Sequence, residues 1–316
     1  MTLEFDSELA EWATTLPVSD LADVDAARTI MASLVAGLAR PVDVSTLTVD
    51  DRTTTATAEN PAVPVRVYRP TADPPPAGFA ALLYIHGGGF VMGSVDTEHA
   101  GAAQLARELG IVVVSVEYGL APEHPFPAGI EDCYQALCWL HEQTDELGVD
   151  RGRVGVFGQS AGGGLAAGLA LLARDRGGPA LCLQFLGIPE LDDRLDTPSM
   201  RAFVDTPLWN RPNAELSWQY YLGESTGDVS PYAAPARATD LRGLPPAYVS
   251  TMEFDPLRDE GIIYALRMLE AGVSVELHQF PGTFHGSGVI ATASVSKRQH
   301  VEQMEVLRRR LHVDRP

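Results

Sequence analysis

Gly158-Gln159-Ser160-Ala161-Gly162 sets a serine between two glycines, with the apolar run Val154–Phe157 before it and an Ala- and Leu-rich helical pattern through Ala173 after it. An apolar run of that length bounded by glycine reads as a buried parallel strand. A strand that turns straight into a helix on Gly-x-Ser-x-Gly is a nucleophile elbow. The turn is so tight that the serine must adopt strained backbone geometry, and side chains in place of the flanking glycines would collide across it. Ser160 is then expected to stand above the sheet, beside the Ala161 amide and the positive end of a helix dipole. A hydroxyl in that position suits attack on a carbonyl carbon. In a glycine-rich chain the five-residue pattern also arises by chance, so its weight comes from its companions.

The first companion is His86-Gly87-Gly88-Gly89-Phe90, directly after the apolar run Ala80–Ile85. Three successive glycines at the carboxyl end of a strand let backbone amides approach a ligand closely, as a developing oxyanion requires. A phosphate cradle is the competing reading. It lacks the Lys-Ser/Thr of a P-loop and any Gly-x-Gly-x-x-Gly spacing onto a helix.

A serine nucleophile needs a base, and in this kind of architecture an acid and then a histidine follow it in the chain. Four histidines lie beyond residue 243. His278 alternates within a strand pattern, His300 sits among Lys297, Arg298 and Glu302 on a solvated helical face, and His312 is nearly terminal. His285, in Pro281-Gly-Thr-Phe-His-Gly286, remains as a loop histidine with small neighbours. For the acid, Glu253-Phe-Asp255-Pro-Leu-Arg-Asp259-Glu260 offers four carboxylates. Asp255 follows a strand directly, and Pro256 favours an extended Asp255 and a helix start. An ordinary helix N-cap is the plainer role for Asp255. Asp259 and Glu260 fall in the first helical turn, where acids suit the dipole and need no further role.

The elements that must position these groups can be read from periodicity. Residues 7–38 read as helical, with Trp12, Leu21, Ile30, Leu34 and Leu38 as apolar positions and Asp20 and Asp23 as caps. Residues 46–57 and 63–68 read as antiparallel edge strands. Continuous apolar runs then alternate with helical patterns: strands at 80–85, 111–116, 154–157, 181–186, 247–252 and 273–280, helices at 97–109, 128–143, 161–174, 257–271 and 294–311. That alternation implies a mostly parallel, eight-stranded sheet with helices on both faces. From Pro189 to about Gly243 the rhythm breaks, in a long insertion carrying Phe203, Leu208, Trp209 and Trp218. Insertions of that length are lids, binding elements or added helices over an edge.

The balance of 23 basic against 42 acidic residues, a net charge of −19, argues against nucleic acid or an anionic membrane surface as partner. Cys133, Cys138 and Cys182 do not form a disulfide framework and are expected in the core. The acidic start has no signal-peptide pattern and no run approaches a membrane span, so a cytoplasmic location is expected. No cluster of His or Cys has ligand spacing, so neither a metal nor an organic cofactor is expected.

These residues together resemble the hormone-sensitive-lipase branch of the α/β-hydrolases, in its bacterial carboxylesterase form. The similarity runs from Phe79 to about Gly286. It includes His86-Gly-Gly-Gly-Phe90, Leu120-Ala-Pro-Glu-His-Pro-Phe-Pro-Ala128, Gly158-Gln-Ser-Ala-Gly-Gly163, Asp255-Pro-Leu-Arg-Asp259 and Phe284-His285-Gly286. The resemblance implies a triad of Ser160, Asp255 and His285, with Gly88, Gly89 and Ala161 as oxyanion donors. It implies a single α/β-hydrolase domain over 1–316, a helical cap from about 1–45 and 189–243, and hydrolysis of short- to medium-chain neutral esters. It also suggests a homodimer through the last strand and final helix. Leu34, Leu38, Phe203, Leu208, Trp209 and Trp218 are expected to wall the substrate pocket from the cap. Gln159 and Gly119 depart from the family pattern, which usually has an acidic or small residue and an Arg there. An amidase or acyltransferase on the same triad, or a non-catalytic small-molecule receptor of the same fold, are the other readings, and an intact His285 argues against the last.

Overall fold

The computed structural model describes residues 3–16, 20–38, 42–56, 61–224 and 227–313. Among these residues the strands are β1 (Leu47–Thr53), β2 (Pro64–Pro70), β3 (Phe79–Ile85), β4 (Val112–Val116), β5 (Val149–Gln159), β6 (Leu183–Gly187), β7 (Ala247–Phe254) and β8 (Val275–Phe284). They form one eight-stranded sheet in the order β1-β2-β4-β3-β5-β6-β7-β8. The β1–β2 and β2–β4 pairs are antiparallel and the remaining pairs parallel. Every residue of β3, β4 and β6 is buried, as continuous apolar runs require when helices cover both faces. The outer strands β1 and β8 are largely half-buried or exposed.

The helices are α1 (Ala10–Thr15), α2 (Val24–Leu38), α3 (His99–Leu109), α4 (Ala128–Glu142), α5 (Thr144–Leu147), α6 (Ala161–Arg176), α7 (Pro198–Ala202), α8 (Arg211–Leu222), α9 (Arg258–Glu270) and α10 (Ser294–Arg310). The alternation of side chains along β3 divides the core. Ala81, Leu83 and Ile85 face α4, α6 and α9, while Ala80, Leu82 and Tyr84 face α3 and α10. On the latter face Tyr84, Phe157, Phe185 and Tyr248 stand in register on β3, β5, β6 and β7. Their rings stack with centroids 4.9, 4.5 and 4.5 Å apart.

Three expectations need correction. Residues 7–38 do not form one helical stretch: α1 stops at Thr15, and Leu16 turns extended with ψ 139°. The next residue is Pro17, which disfavours helical geometry in the residue before it. The helix after Asp255 begins one residue later than its sequence suggests, at Arg258. Of the cysteines, Cys133 is buried, but Cys138 and Cys182 are only partly so.

Candidate active site

Every element that brings chemistry to the site ends at the same edge of the sheet. β5 passes through Gln159 into Ser160, and α6 starts at Ala161. Ser160 has φ 57° and ψ −125°, a conformation only a strained turn imposes on a residue with a side chain. A Cβ on Gly158 would run into the backbone of Gly162, and one on Gly162 into the carbonyl oxygens of Ile85 and His86. The elbow is held by the Ser160 amide donating to Gly187 O at 2.8 Å, and by the amides of Gly164 and Glu190 donating to Ser160 O at 3.0 and 3.1 Å.

β8 delivers His285 immediately after its last residue, Phe284, and β7 delivers Asp255 in the same way after Phe254. The His285 Nε2 lies 2.9 Å from Ser160 Oγ, and its Nδ1 lies 2.8 Å from Asp255 Oδ2. The other Asp255 oxygen accepts the Leu257 amide at 2.9 Å. Asp255 therefore holds both the imidazole and the turn into α9, so its capping contact accompanies the contact with His285. Asp255 is 0%, His285 7% and Ser160 8% exposed, so the three groups interact in a low-dielectric setting.

Opposite them lies the glycine loop after β3. Gly88 and Gly89 have φ 122° and 57°, values open to glycine, and a Cβ on Gly89 would strike the ring of Trp209. His86, which starts the loop, stacks on Tyr118 with centroids 4.2 Å apart, and Tyr118 Oη donates to His86 O at 3.0 Å. Burial pushes the His86 pKa down to about 4, leaving the ring neutral in ordinary buffers.

The residues expected to wall a pocket separate into groups. Trp209 is buried with its ring centroid 5.9 Å from that of His285, and Leu208 meets Gly286. Phe203 packs edge-on against Phe254 under the Arg258 guanidinium. Trp218 packs behind the glycine loop on Phe90 and Tyr221, within the main core. Leu34 is half-buried on α2, and the side chain of Leu38 lies outside the described residues.

Several groups escaped sequence reasoning. Glu190 is 0% exposed, and burial, with the charge of Asp255 adding to it, raises its pKa to about 8. An acid just past the carboxyl end of a central strand, inside apolar Ile188-Pro-Glu-Leu191, was the signal available for it. Asp259 and Glu260 do more than suit a dipole. Asp259 accepts the Ser199 amide from α7 at 2.8 Å. Glu260 accepts the amides of Leu191 and Asp192 at 2.6 and 3.2 Å, and burial raises its pKa. Arg28 on α2 donates to Val91 O and Ala121 O at 2.8 and 3.2 Å and pairs with both oxygens of Glu123. Among the described residues no cluster of His, Cys, Asp or Glu could hold a metal ion, and no helix is long and apolar enough to cross a membrane.

The sequence profile of a family described by the alpha/beta hydrolase fold matches residues 82–288. The chain is 40% identical over 256 residues to esterase LipI of Mycobacterium tuberculosis, covering 79% of this chain and 80% of that one. It is 44% identical over 229 residues to carboxylesterase NlhH of the same species, covering 71% and 70%. Among solved structures, a bacterial heroin esterase superposes with a TM-score of 0.94 at 52% identity, over 98% of both chains. With this sheet, this order of motifs and these relatives, the chain belongs to the α/β-hydrolase family, on its hormone-sensitive-lipase-like branch of carboxylic ester hydrolases.

Proposed function

We propose that the chain is a serine carboxylesterase that hydrolyses short- to medium-chain esters through an acyl-enzyme on Ser160. The observation that carries this reading is the double engagement of His285, with Nε2 2.9 Å from Ser160 Oγ and Nδ1 2.8 Å from Asp255. His285 takes the Ser160 proton as Oγ attacks the ester carbonyl, and Asp255 holds the imidazole and stabilises its cation. The amides of Gly88, Gly89 and Ala161 receive the oxyanion. His285 then returns the proton to the departing alcohol, and a water activated by the same base releases the acid.

The cap is composed of the N-terminal helices and the 189–243 insertion. Its support is a shared apolar cluster in which Leu21 and Ala27 meet Met200, Trp209 and Ala214 over Val91 and Met92 of the glycine loop. Trp209, set between Gly89 and His285, limits the acyl group. Each methylene that fits gains about 0.8 kcal/mol, so kcat/KM rises from acetyl to about butyryl or hexanoyl esters and then drops. A homodimer through the outer edge of β8 and α10 belongs to the same reading, because an open strand edge needs pairing or cover.

Kinetics on a chain-length series of p-nitrophenyl esters test the assignment. Ser160→Ala loses about 10³-fold or more, Asp255→Asn loses severely and Asp259→Asn only mildly. Equal losses from the two Asp substitutions, or a rate optimum on long-chain emulsions, would overturn it.

A further inference from the structure

Three oxygens stand in a row behind the glycine loop. The carbonyl oxygen of Gly89 is 2.9 Å from Ser217 Oγ on α8, and Ser217 Oγ is 3.1 Å from Glu190 Oε1. Ser217 and Glu190 are both 0% exposed. A hydroxyl brings one proton and a carbonyl none. If Ser217 donates to Gly89, an ionised Glu190 faces the Ser217 oxygen with no proton between them. If Ser217 donates to Glu190, the buried Gly89 carbonyl loses this partner. A protonated Glu190 resolves both cases: its O–H donates to Ser217 Oγ, and Ser217 donates to Gly89.

We propose that Glu190 is a positioning residue of the oxyanion loop that works as a neutral carboxylic acid, fixing the Gly89 carbonyl through Ser217 and thereby anchoring the loop segment that carries the Gly88 and Gly89 amides. The inference rests on reading those amides as the oxyanion donors. The peptide between Gly88 and Gly89 is pinned within the loop, its carbonyl accepting the Val91 and Met92 amides at 3.1 and 2.9 Å, and Ser217 pins the next peptide through the Gly89 carbonyl. Glu190 is suited to this because its own amide donates to Ser160 O at 3.1 Å. One residue thus grips the elbow with its backbone and the loop with its side chain.

The surroundings favour the proton. Burial raises Glu190 to about 8, and the Ser217 hydrogen bond works against that rise. The titratable groups that face it are acids: Asp255 with its partner His285 on the far side, and Glu260 on α9, itself in the field of Glu190 and Asp192. Ionisation of Glu190 turns the Ser217 proton away from Gly89. It also places a negative charge behind a loop that must receive an oxyanion.

The test is kcat and KM on p-nitrophenyl acetate from pH 6 to 10, corrected for uncatalysed hydrolysis, with thermal unfolding of every variant over the same range. In the unsubstituted protein kcat falls several-fold as pH rises through about 8, while the fold persists. Glu190→Gln, whose amide donates to Ser217 and cannot ionise, keeps most of the neutral-pH kcat and has a flat alkaline side. The acid side of its profile matches that of the unsubstituted protein. Glu190→Ala and Ser217→Ala lose about tenfold in kcat with KM little changed. An alkaline fall that is absent in the unsubstituted protein or unchanged in Glu190→Gln overturns the proposal, as do equal losses in Glu190→Gln and Glu190→Ala. Should Glu190→Ala fail to fold, Glu190→Gln and Ser217→Ala decide the matter. Substantial activity in Ser160→Ala would instead sink the reading of the site itself.

Discussion

The elbow at Ser160 and the glycine loop face each other across the site and are both rich in glycine, but Gly89 of the loop is confined differently from the glycines of the elbow. In the elbow there is no room: a Cβ on Gly158, Gly162 or Gly164 would meet backbone, of Gly162, of Ile85 and His86, and of Glu190 respectively. The chain itself fixes Ser160, and no side chain could move aside to admit a larger residue. In the loop the reasons divide: a Cβ on Gly88 would meet the backbone of Met92, whereas Gly89 is hemmed in by side chains, the Trp209 ring and Ser217 Oγ, both carried by the insertion. Ser160 is therefore built into the sheet, whereas the facing loop is completed at Gly89 by docking of a separate layer. Precision at the elbow comes from backbone sterics, and at Gly89 from tertiary contacts that can loosen.

The largest effect expected from this contrast is at the elbow. Gly162→Ala drives a methyl into two backbone carbonyls, which costs more than about 3 kcal/mol and yields little soluble, active protein. Expression yield and thermal unfolding check it, and a stable, active variant would break the distinction. The loop should behave differently. Gly89→Ala places a side chain at φ 57° for about 1–2 kcal/mol and pushes on Trp209, lowering kcat about 10²-fold in a protein that still folds. Adding Trp209→Ala recovers part of that loss, since the obstacle is a side chain. A double variant no better than Gly89→Ala alone would show that the loop, too, is held by backbone.

A smaller effect is expected at Arg28, which ties α2 to Val91 and Ala121 just beyond the loop. The guanidinium is 28% exposed and Glu123 is 54% exposed, so the ion pair itself contributes little. Arg28→Ala should lower Tm by a few degrees and kcat/KM a few-fold, and Glu123→Gln should do less than half as much. If high salt reproduced the whole Arg28→Ala effect, the charge pair rather than the two carbonyl contacts would be the clasp.

The same contrast explains what the sequence discloses and what it does not. Ser160, the glycine loop and the strands that carry them depend on local rules: a tight turn needs glycine at fixed offsets, and a doubly covered strand needs an unbroken apolar run. Asp255 was legible because it follows a strand directly, and His285 because the other three late histidines read as strand, solvated helical face and terminus. Glu190 and Ser217 were not. They lie 27 residues apart, and nothing between them sets their distance except how the insertion settles on the loop. Arg28 and Glu123 are 95 residues apart and meet for the same reason. Phe203 and Trp218 were read as pocket wall because aromatic residues in an insertion must be buried somewhere, and composition does not say where. One packs on Phe254 and the other behind Phe90.

The stacked rings of Tyr84, Phe157, Phe185 and Tyr248 have an optical consequence. Four aromatic transitions held at 4.5–4.9 Å in a chiral array couple electronically, so the centre of the sheet carries its own near-ultraviolet circular dichroism. Each ring belongs to a different strand, so that signal reads inter-strand register and is blind to the serine, the histidine and the loop above it. Variants that silence the chemistry while keeping the band have lost a reacting group or its aim. Variants that lose the band have lost the platform.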